Sequence, residues 1–162
     1  MTDTSDAHVG WPSAELDAIA RLRVIEAANP FVAAAEGVVD APFDDVWTWI
    51  SDLERSVPEF DGSVSRIRIN RRDGADLAIS AWSGKVPVPL PLRARLEEGF
   101  CLMQGRGRIY LVGMAAVAEG DRTRVRHVEG VPLPGIGRLA RAAVQREVRH
   151  DLKGMIRHFA RG

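Results

Sequence analysis

A long amphipathic helix at the end of the chain constrains the fold more than any other feature of the sequence. Apolar residues recur at intervals of three and four and form one stripe: Leu139, Ala140, Ala143, Val144, Val148, Leu152, Met155, Ile156 and Phe159. The opposite side is rich in arginine. Such a stripe has to pack against another element, because a continuous apolar face is unstable in water.

The residues before this helix alternate between apolar and polar, which is typical of antiparallel strands with one buried face. We predict about six strands there, separated by glycine-containing turns such as RDGAD at 72–76. Prolines at 87, 89 and 91 argue against a central strand. We therefore predict an edge or a loop at 85–91 and a strand at 92–98.

One strand and two short helices precede these strands. Residues 31–41 are strand-like, and Pro42 suits the first position of a helix. A second short helix is predicted within ERSVPEF, residues 54–60. Further upstream, residues 13–28 have helical spacing with Ser13 as a candidate N-cap, and residues 1–12 are predicted to be disordered.

These elements predict an α+β protein in which a curved antiparallel sheet wraps around the long C-terminal helix. The two short helices would close one end, and the N-terminal helix would be an addition. We assign residues 1–30 to a disordered start and accessory helix, and residues 31–162 to a ligand-binding domain. A space between a curved sheet and one helix is where we expect function.

The segment VVDAPFDDVWTWISDLERSVPEF resembles the start of START-like proteins, the SRPBCC superfamily of polyketide cyclases and lipid-transport domains. The resemblance rests on Ala41-Pro42, Val46-Trp47 and Asp52, and on the VPLPGIG link before the last helix. It covers about residues 32–160 and implies a helix-grip fold. It does not specify one function, because the superfamily includes carriers, hormone receptors and cyclases.

The two tryptophans of the first short helix are predicted to differ in role. Trp47 lies on the apolar face of the helix, so we predict that it anchors the helix in the core. Trp49 lies on a different face, so we predict that it is exposed or at the cavity entrance.

Charge and cysteine content restrict the partners and the compartment. Lysine plus arginine equals aspartate plus glutamate at 22 each, so there is no electrostatic basis for nucleic-acid binding. A single cysteine, and an N-terminus without a secretory signal, favour a cytoplasmic protein. The arginine-rich helix face allows at most transient contact with a membrane surface. Both a monomer and a homodimer fit the sequence.

The candidate chemistry lies on the last strand, TRVRHVEGV. Alternation places His127 and Glu129 on one face and Arg124 and Arg126 on the other. If the arginines face solvent, His127 and Glu129 point into the cavity, where Tyr110 could join them. Such a group could move protons to and from a ketone-bearing substrate. The alternative is that His127 is a structural histidine.

Other residues are predicted to contact the ligand or to be inert. The candidate ligand-contacting residues are Trp82, Met103, Gln104, Met114, Val144, Val148 and Met155. Cys101 is predicted to be a small buried hydrophobe, and the Glu147-x-x-His150 pair to lie on a solvated face. No motif indicates a metal or another cofactor, so we predict none.

Three functions remain open from the sequence. The leading hypothesis is the binding of a small hydrophobic ligand, lipid-like or polyketide-like, between the sheet and the C-terminal helix. The second is a metal-free enzyme of the polyketide cyclase or dehydratase type, with His127, Tyr110 and Glu129 as catalytic residues. The third is a protein-interaction module that uses the exposed sheet or the N-terminal helix.

Overall fold

The computed structural model describes residues 15–84, 86–108, 110–130 and 138–160. Its elements, in chain order, are α1 (Ala18–Ala27), β1 (Val32–Val39), α2 (Phe43–Ser51), α3 (Leu53–Phe60), β2 (Arg66–Asp73), β3 (Asp76–Ser83), β4 (Val86–Glu97), β5 (Phe100–Gly105), β6 (Leu111–Glu119), β7 (Arg122–Gly130) and α4 (Arg138–Phe159). The predictions for residues 1–12, for Ser13 and for the 131–137 link lie outside the described residues.

The strands form one sheet in the order β1-β7-β6-β5-β4-β3-β2, and every neighbouring pair is antiparallel. Helix α4 packs mainly on β1 and β7, whereas α3 packs on β2 at the opposite edge. Because α3 also contacts α4, the sheet has to curl until its two edges approach the same pair of helices. This is the predicted α+β arrangement of a curved sheet around a C-terminal helix.

The main core lies on the sheet face that looks toward α3 and α4, which we call the inner face. It combines residues of most strands with α2, α3 and α4: Ile67, Leu77, Ile79, Leu92, Met103, Met114, Val125, Ile50, Leu53, Val57, Phe60, Leu152 and Met155 are among its buried members. Gly37 on β1 permits close packing, since a Cβ atom there would lie 3.0 Å from Ile156 Cδ1.

Helix α1 packs on the opposite, outer face of the sheet, against β6 and β7. Asp17 caps it by accepting a hydrogen bond from the Ala20 amide. Its buried residues Ile19 and Leu22 belong to a second apolar cluster with Val128 and other outer-face residues. The accessory helix is therefore packed against the sheet, on the face opposite to the one that α4 covers.

Residues 86–91 belong to strand β4 and lie at an edge, which is one of the two alternatives that the prolines predicted, and only the loop alternative is wrong. They pair with β3, while the pairing with β5 begins only at Leu92. The Leu96 amide donates to Ala75 O, which shows that even-numbered positions of β4 point their amides toward β3. Pro91 occupies an odd position, so its missing amide faces the side that has no partner strand among the described residues, whereas Pro87 and Pro89 fall where the β3–β4 register shifts.

One tryptophan of α2, Trp49, is placed differently from the prediction, whereas Trp47 packs against the core as predicted. Trp49 is buried in the main core, stacked on His158 with ring centroids 4.1 Å apart, and lies close to Phe60 and Phe159. Trp47 is half-buried against the same core. The prediction for Trp49 failed because α3 and the end of α4 cover a second face of α2, which the helical period alone does not reveal.

None of the helices in the described part of the chain combines the length and the apolar character needed to cross a membrane.

Candidate functional site

His127 and Glu129 lie on the inner face of β7, as the alternation of the sequence predicts. His127 is completely buried and Glu129 is 6 % exposed. The neighbouring Arg126 points to the outer face, where it pairs with Glu26 of α1 and Glu36 of β1. The prediction that His127 and Glu129 face inward and Arg126 faces outward is confirmed. Helix α1 partly covers the outer face.

Asp151 of α4 faces His127 across the interior. Its carboxyl group is buried, and its Oδ2 atom lies 3.7 Å from His127 Nε2. The other imidazole nitrogen, Nδ1, lies 3.2 Å from the carbonyl oxygen of Gly113 on β6. Because a carbonyl oxygen can only accept, Nδ1 carries the proton and donates it to Gly113. The Phe60 ring lies nearly perpendicular to the imidazole, with the ring centroids 5.9 Å apart.

Asp61 and Tyr110 border this group. Asp61 ends α3 and is buried, and its Oδ1 atom accepts hydrogen bonds from the amide and the hydroxyl of Ser63 at 2.8 and 2.6 Å. The Tyr110 hydroxyl interacts with both Glu129 and Ser63. We call His127, Glu129 and Asp151 the polar cluster, with Asp61 and Tyr110 beside it.

Burial dominates the electrostatics of the site. Loss of hydration raises the pKa of Glu129 to about 7, the charges of Asp61 and Asp151 act in the same direction, and His127 opposes them. Burial also raises the pKa of Asp61, against hydrogen bonds from Ser63 that favour the carboxylate. The pKa of Tyr110 lies well above its usual value, chiefly because of burial and then because of the charge of Glu129. Burial thus favours the protonated forms of Glu129, Asp61 and Tyr110.

Much of the polar cluster lacks hydrogen-bond partners. Within the described residues, His127 Nε2, Glu129 Oε2 and both carboxyl oxygens of Asp151 are buried without one. Buried polar atoms are satisfied in the great majority of proteins, so each such group calls for a functional explanation. One candidate atom from each of the three residues lies within 4.8 Å of the other two, a spacing that a metal ion could bridge.

The predicted ligand-contacting residues fall into two groups. Met103 and Met114 are buried on the inner face, and Val148 and Met155 are buried on α4. Val144, one turn before Val148, is half-buried. Register places Met114 beside His127 and Val112 beside Glu129, with Met103 next to Val112. These residues therefore surround the polar cluster with apolar side chains, and their contact with a ligand stays a prediction.

Trp82 and Gln104 do not join this group. Trp82 lies opposite Arg66, whose guanidinium stacks on the indole at 3.9 Å, on the face opposite the buried Ala81. Gln104 alternates with Met103 and lines an outer-face cavity of about 370 Å³ beside α1. The prediction that both contact an interior ligand is wrong, because the register of β3 and β5 turns them outward.

Two further sequence expectations agree with the structure. Cys101 is buried, and burial raises the pKa of its thiol to about 12, so it has no nucleophilic thiolate near neutral pH. Glu147 and His150 are both exposed on α4. Neither residue belongs to the polar cluster.

Sequence reasoning missed Asp151 and Asp61. Asp151 lies on the line through Val144, Val148 and Met155, at intervals of four, three and four residues. A charged residue within an apolar helical stripe is a usable signal for a buried functional carboxylate. Asp61 carries no comparable signal, since an aspartate at the end of a helix near Gly62 and Ser63 is ordinary turn chemistry.

The comparisons with known proteins concern the fold. No family model matches the sequence, and no curated protein does. A START superfamily protein from Mycobacterium smegmatis is similar in structure, with a TM-score of 0.64, 13 % identity, and coverage of 80 % of this chain and 97 % of that one. The Zhui aromatase/cyclase from a Streptomyces species is similar as well, with a TM-score of 0.64, 14 % identity, and coverage of 80 % of this chain and 93 % of that one.

A protein from Thermus thermophilus is also similar, with a TM-score of 0.61, 21 % identity, and coverage of 80 % of this chain and 97 % of that one. At these identities the similarity establishes the fold and not the activity. The chain has the START-like helix-grip fold that the sequence resemblance implied.

Proposed function

We propose that the protein binds a small, mostly apolar molecule between the inner face of the sheet and α4, with a polar group of that molecule directed at the polar cluster. The observation that carries this proposal is the burial of His127, Glu129 and Asp151 within an otherwise apolar surface. Burying unpartnered polar groups costs several kcal/mol in model systems, so a structure keeps them mainly where they have a use.

The START-like fold supports the same proposal. Structures with this fold include a START superfamily protein and an aromatase/cyclase, and we expect this chain to hold a ligand in the corresponding interior. Most of the affinity would come from apolar contact with residues such as Met103, Met114 and Val148, at about 25 cal/mol per Å² removed from water. The polar cluster would set the orientation of the ligand, for example by hydrogen bonds to a keto or hydroxyl group.

Native mass spectrometry of gently purified protein tests this proposal first. We expect a stoichiometric apolar adduct, which is released on denaturation and identifies the chemical class. Binding of a fluorescent fatty-acid probe then locates the site through two neighbours on β5. Met103→Phe places a larger, rigid side chain on the inner face and should weaken binding at least about tenfold, whereas Gln104→Ala on the outer face should not. Equal binding by both variants would place the ligand elsewhere.

A second candidate function is acid–base catalysis of the cyclase or dehydratase type. It is favoured by the placement of the partly buried Tyr110 beside the buried His127 and Glu129. Here His127 Nε2 would take a proton from the carbon next to a ketone, and the resulting enolate would attack a second carbonyl of the same chain. Glu129 or Tyr110 would protonate the new alkoxide.

The two functions are separated by His127→Ala. In a catalyst, this substitution should abolish turnover of a poly-β-ketone substrate. In a carrier, it should change the affinity for the ligand only a fewfold. Undiminished turnover by the variant would remove His127 from the catalytic role.

A further inference from the structure

We propose that His127 Nε2, a carboxylate oxygen of Glu129 and a carboxylate oxygen of Asp151 together bind one divalent transition-metal cation. This inference goes beyond the proposed function, because it requires no organic ligand. The three candidate atoms lie within 4.8 Å of one another, and all three residues are more than nine-tenths buried.

The hydrogen bond of the imidazole orients His127 for metal binding. His127 donates from Nδ1 to Gly113 O, which leaves Nε2 as the ring nitrogen that faces Asp151. Histidines that bind metals usually donate their second nitrogen to a carbonyl or carboxylate in this way, which fixes the tautomer and the orientation of the ring. A lone pair facing a carboxylate is repulsive unless a cation or a proton lies between them.

The distances between the candidate ligand atoms also fit a shared metal ion. The 3.7 Å between His127 Nε2 and Asp151 Oδ2 is too long for a hydrogen bond. It suits two ligands of one ion, since bonds of about 2.1 Å place such ligands roughly 3 to 4 Å apart. The Glu129 carboxylate offers an oxygen within 4.8 Å of both of these atoms.

The buried carboxyl groups of the site also favour a bound cation. Asp61, Glu129 and Asp151 are three buried carboxyl groups with one imidazole among them. Within the described residues, no lysine or arginine forms an ion pair with any of the three. A divalent cation would offset the negative charge of the carboxylates that bind it and would satisfy the polar atoms that lack partners.

The donor set indicates which ions fit. One imidazole nitrogen with two carboxylates suits Zn²⁺, Mn²⁺ or Fe²⁺, whereas Ca²⁺ and Mg²⁺ prefer oxygen ligands throughout. Three protein ligands leave at least one coordination position for water or for an oxygen atom of a bound molecule.

Titration of the chelator-treated, full-length protein with Co²⁺ and Zn²⁺ tests the proposal. We expect one ion per chain, a visible Co²⁺ absorption band typical of nitrogen and oxygen ligands, and displacement of Co²⁺ by Zn²⁺. Saturation with Zn²⁺ should raise the melting temperature by roughly 5 °C or more at a hundredfold excess over Kd.

Isosteric variants link the binding to these residues. Asp151→Asn and Glu129→Gln should each weaken Zn²⁺ binding by about a hundredfold or more, and His127→Ala should abolish it. His150→Ala, on the exposed side of α4 next to Asp151, is the matched control and should bind like the wild type. Circular dichroism of the metal-free variants checks that they are folded, and the two isosteric changes keep the test valid if His127→Ala unfolds.

Two results would overturn the proposal. One is the absence of stoichiometric binding of either ion. The other is binding that persists unchanged in folded Asp151→Asn and Glu129→Gln, which would place the ion elsewhere. Because no organic probe is present, either result leaves the proposed ligand binding untouched, and a failure to bind the fatty-acid probe leaves the metal site untouched.

Discussion

His127 on β7 and Asp151 on α4 face each other inside the protein, with Nε2 3.7 Å from Oδ2. Because Nδ1 donates to Gly113, an imidazole with this single proton would offer Asp151 a lone pair and no proton. We expect Asp151→Asn to stabilise the metal-free protein by about 1 kcal/mol at pH 8, since its amide can donate to Nε2 without a buried charge. Urea unfolding in the presence of a chelator measures this.

A loss of stability in Asp151→Asn would contradict this expectation. Loss of about 3–5 kcal/mol in Asp151→Asn would show that the metal-free protein holds a charged imidazolium–carboxylate pair, because breaking a buried pair leaves one charge uncompensated. His150→Ala serves as the control for substitution at this turn of α4, and its stability should change by less than about 0.5 kcal/mol.

A second prediction concerns Glu36 on the outer face. Its carboxylate accepts hydrogen bonds from Arg23 of α1 and from Arg126 and Arg124 of β7. We expect Glu36→Gln to cost about 1–3 kcal/mol at pH 7, because the half-buried Arg126 then loses one of its two carboxylate partners. Urea unfolding at neutral pH measures this cost.

The same contacts predict acid sensitivity. Burial alone would raise the pKa of Glu36, but the hydrogen bonds from Arg23 and Arg126 outweigh it and lower the pKa below the usual 4.5. A lowered folded-state pKa contributes stability that is present above 4.5 and lost as the pH falls through the folded-state value. The wild type should therefore lose more stability than Glu36→Gln between pH 6 and pH 3, and identical losses would contradict the role of Glu36.

Helix α1 should be a cooperative part of the fold. Leu22 is completely buried between α1 and the sheet, while Val24 is 56 % exposed on the same helix. We expect Leu22→Ala to cost about 2–4 kcal/mol and Val24→Ala less than about 0.5 kcal/mol. A single unfolding transition that shifts with Leu22→Ala would show that α1 unfolds with the sheet. An unshifted transition would make α1 a separate appendage.

Local patterns in the sequence predicted most of the fold. The period of α4, the alternation of β7 and the turn at Gly74 each depend on residues close in sequence, and each was found where expected. The alternation of β7 also placed His127 and Glu129 correctly, because side chains along a strand switch faces at every residue.

The errors arose where distant elements meet. Trp82 lies at an irregularity in the β3–β4 pairing between Ala81 and Ser83, and only the pairing with Arg66 shows that it faces outward. Trp49 is buried because His158 and Phe159, more than a hundred residues later, pack on it. Asp151 became part of the site through the position of α4 over β7. Helix tilt and strand register set these contacts, and local periodicity does not contain them.

Cys101 provides a prediction about reactivity. Burial raises the pKa of its thiol to about 12, so less than about one part in a thousand is thiolate at pH 8. Alkylation by iodoacetamide should be at least about a hundredfold slower in the native protein than in concentrated guanidinium chloride. Rapid stoichiometric alkylation without denaturant would show that the inner face opens readily near Cys101.

The last prediction concerns Gly113, where β6 meets α1. A Cβ atom at this position would lie 2.7 Å from Leu22 Cδ2 and 2.8 Å from Val128 Cγ2, which is closer than real Cβ contacts allow. We expect Gly113→Ala to destabilise the protein by about 1–3 kcal/mol through overpacking. Gly62→Ala is the matched control, since a Cβ atom there meets nothing within 4 Å.

Combining Gly113→Ala with Leu22→Ala tests the cause. If steric overlap with Leu22 is responsible, the shortened side chain makes room for the new methyl group, and the double variant should be more stable than the sum of the single effects predicts. We expect a favourable coupling of about 1 kcal/mol or more in a double-mutant cycle measured by urea unfolding. Strict additivity would mean that Val128 or the backbone of β6 carries the strain, because in that case shortening Leu22 removes core contacts without relieving it.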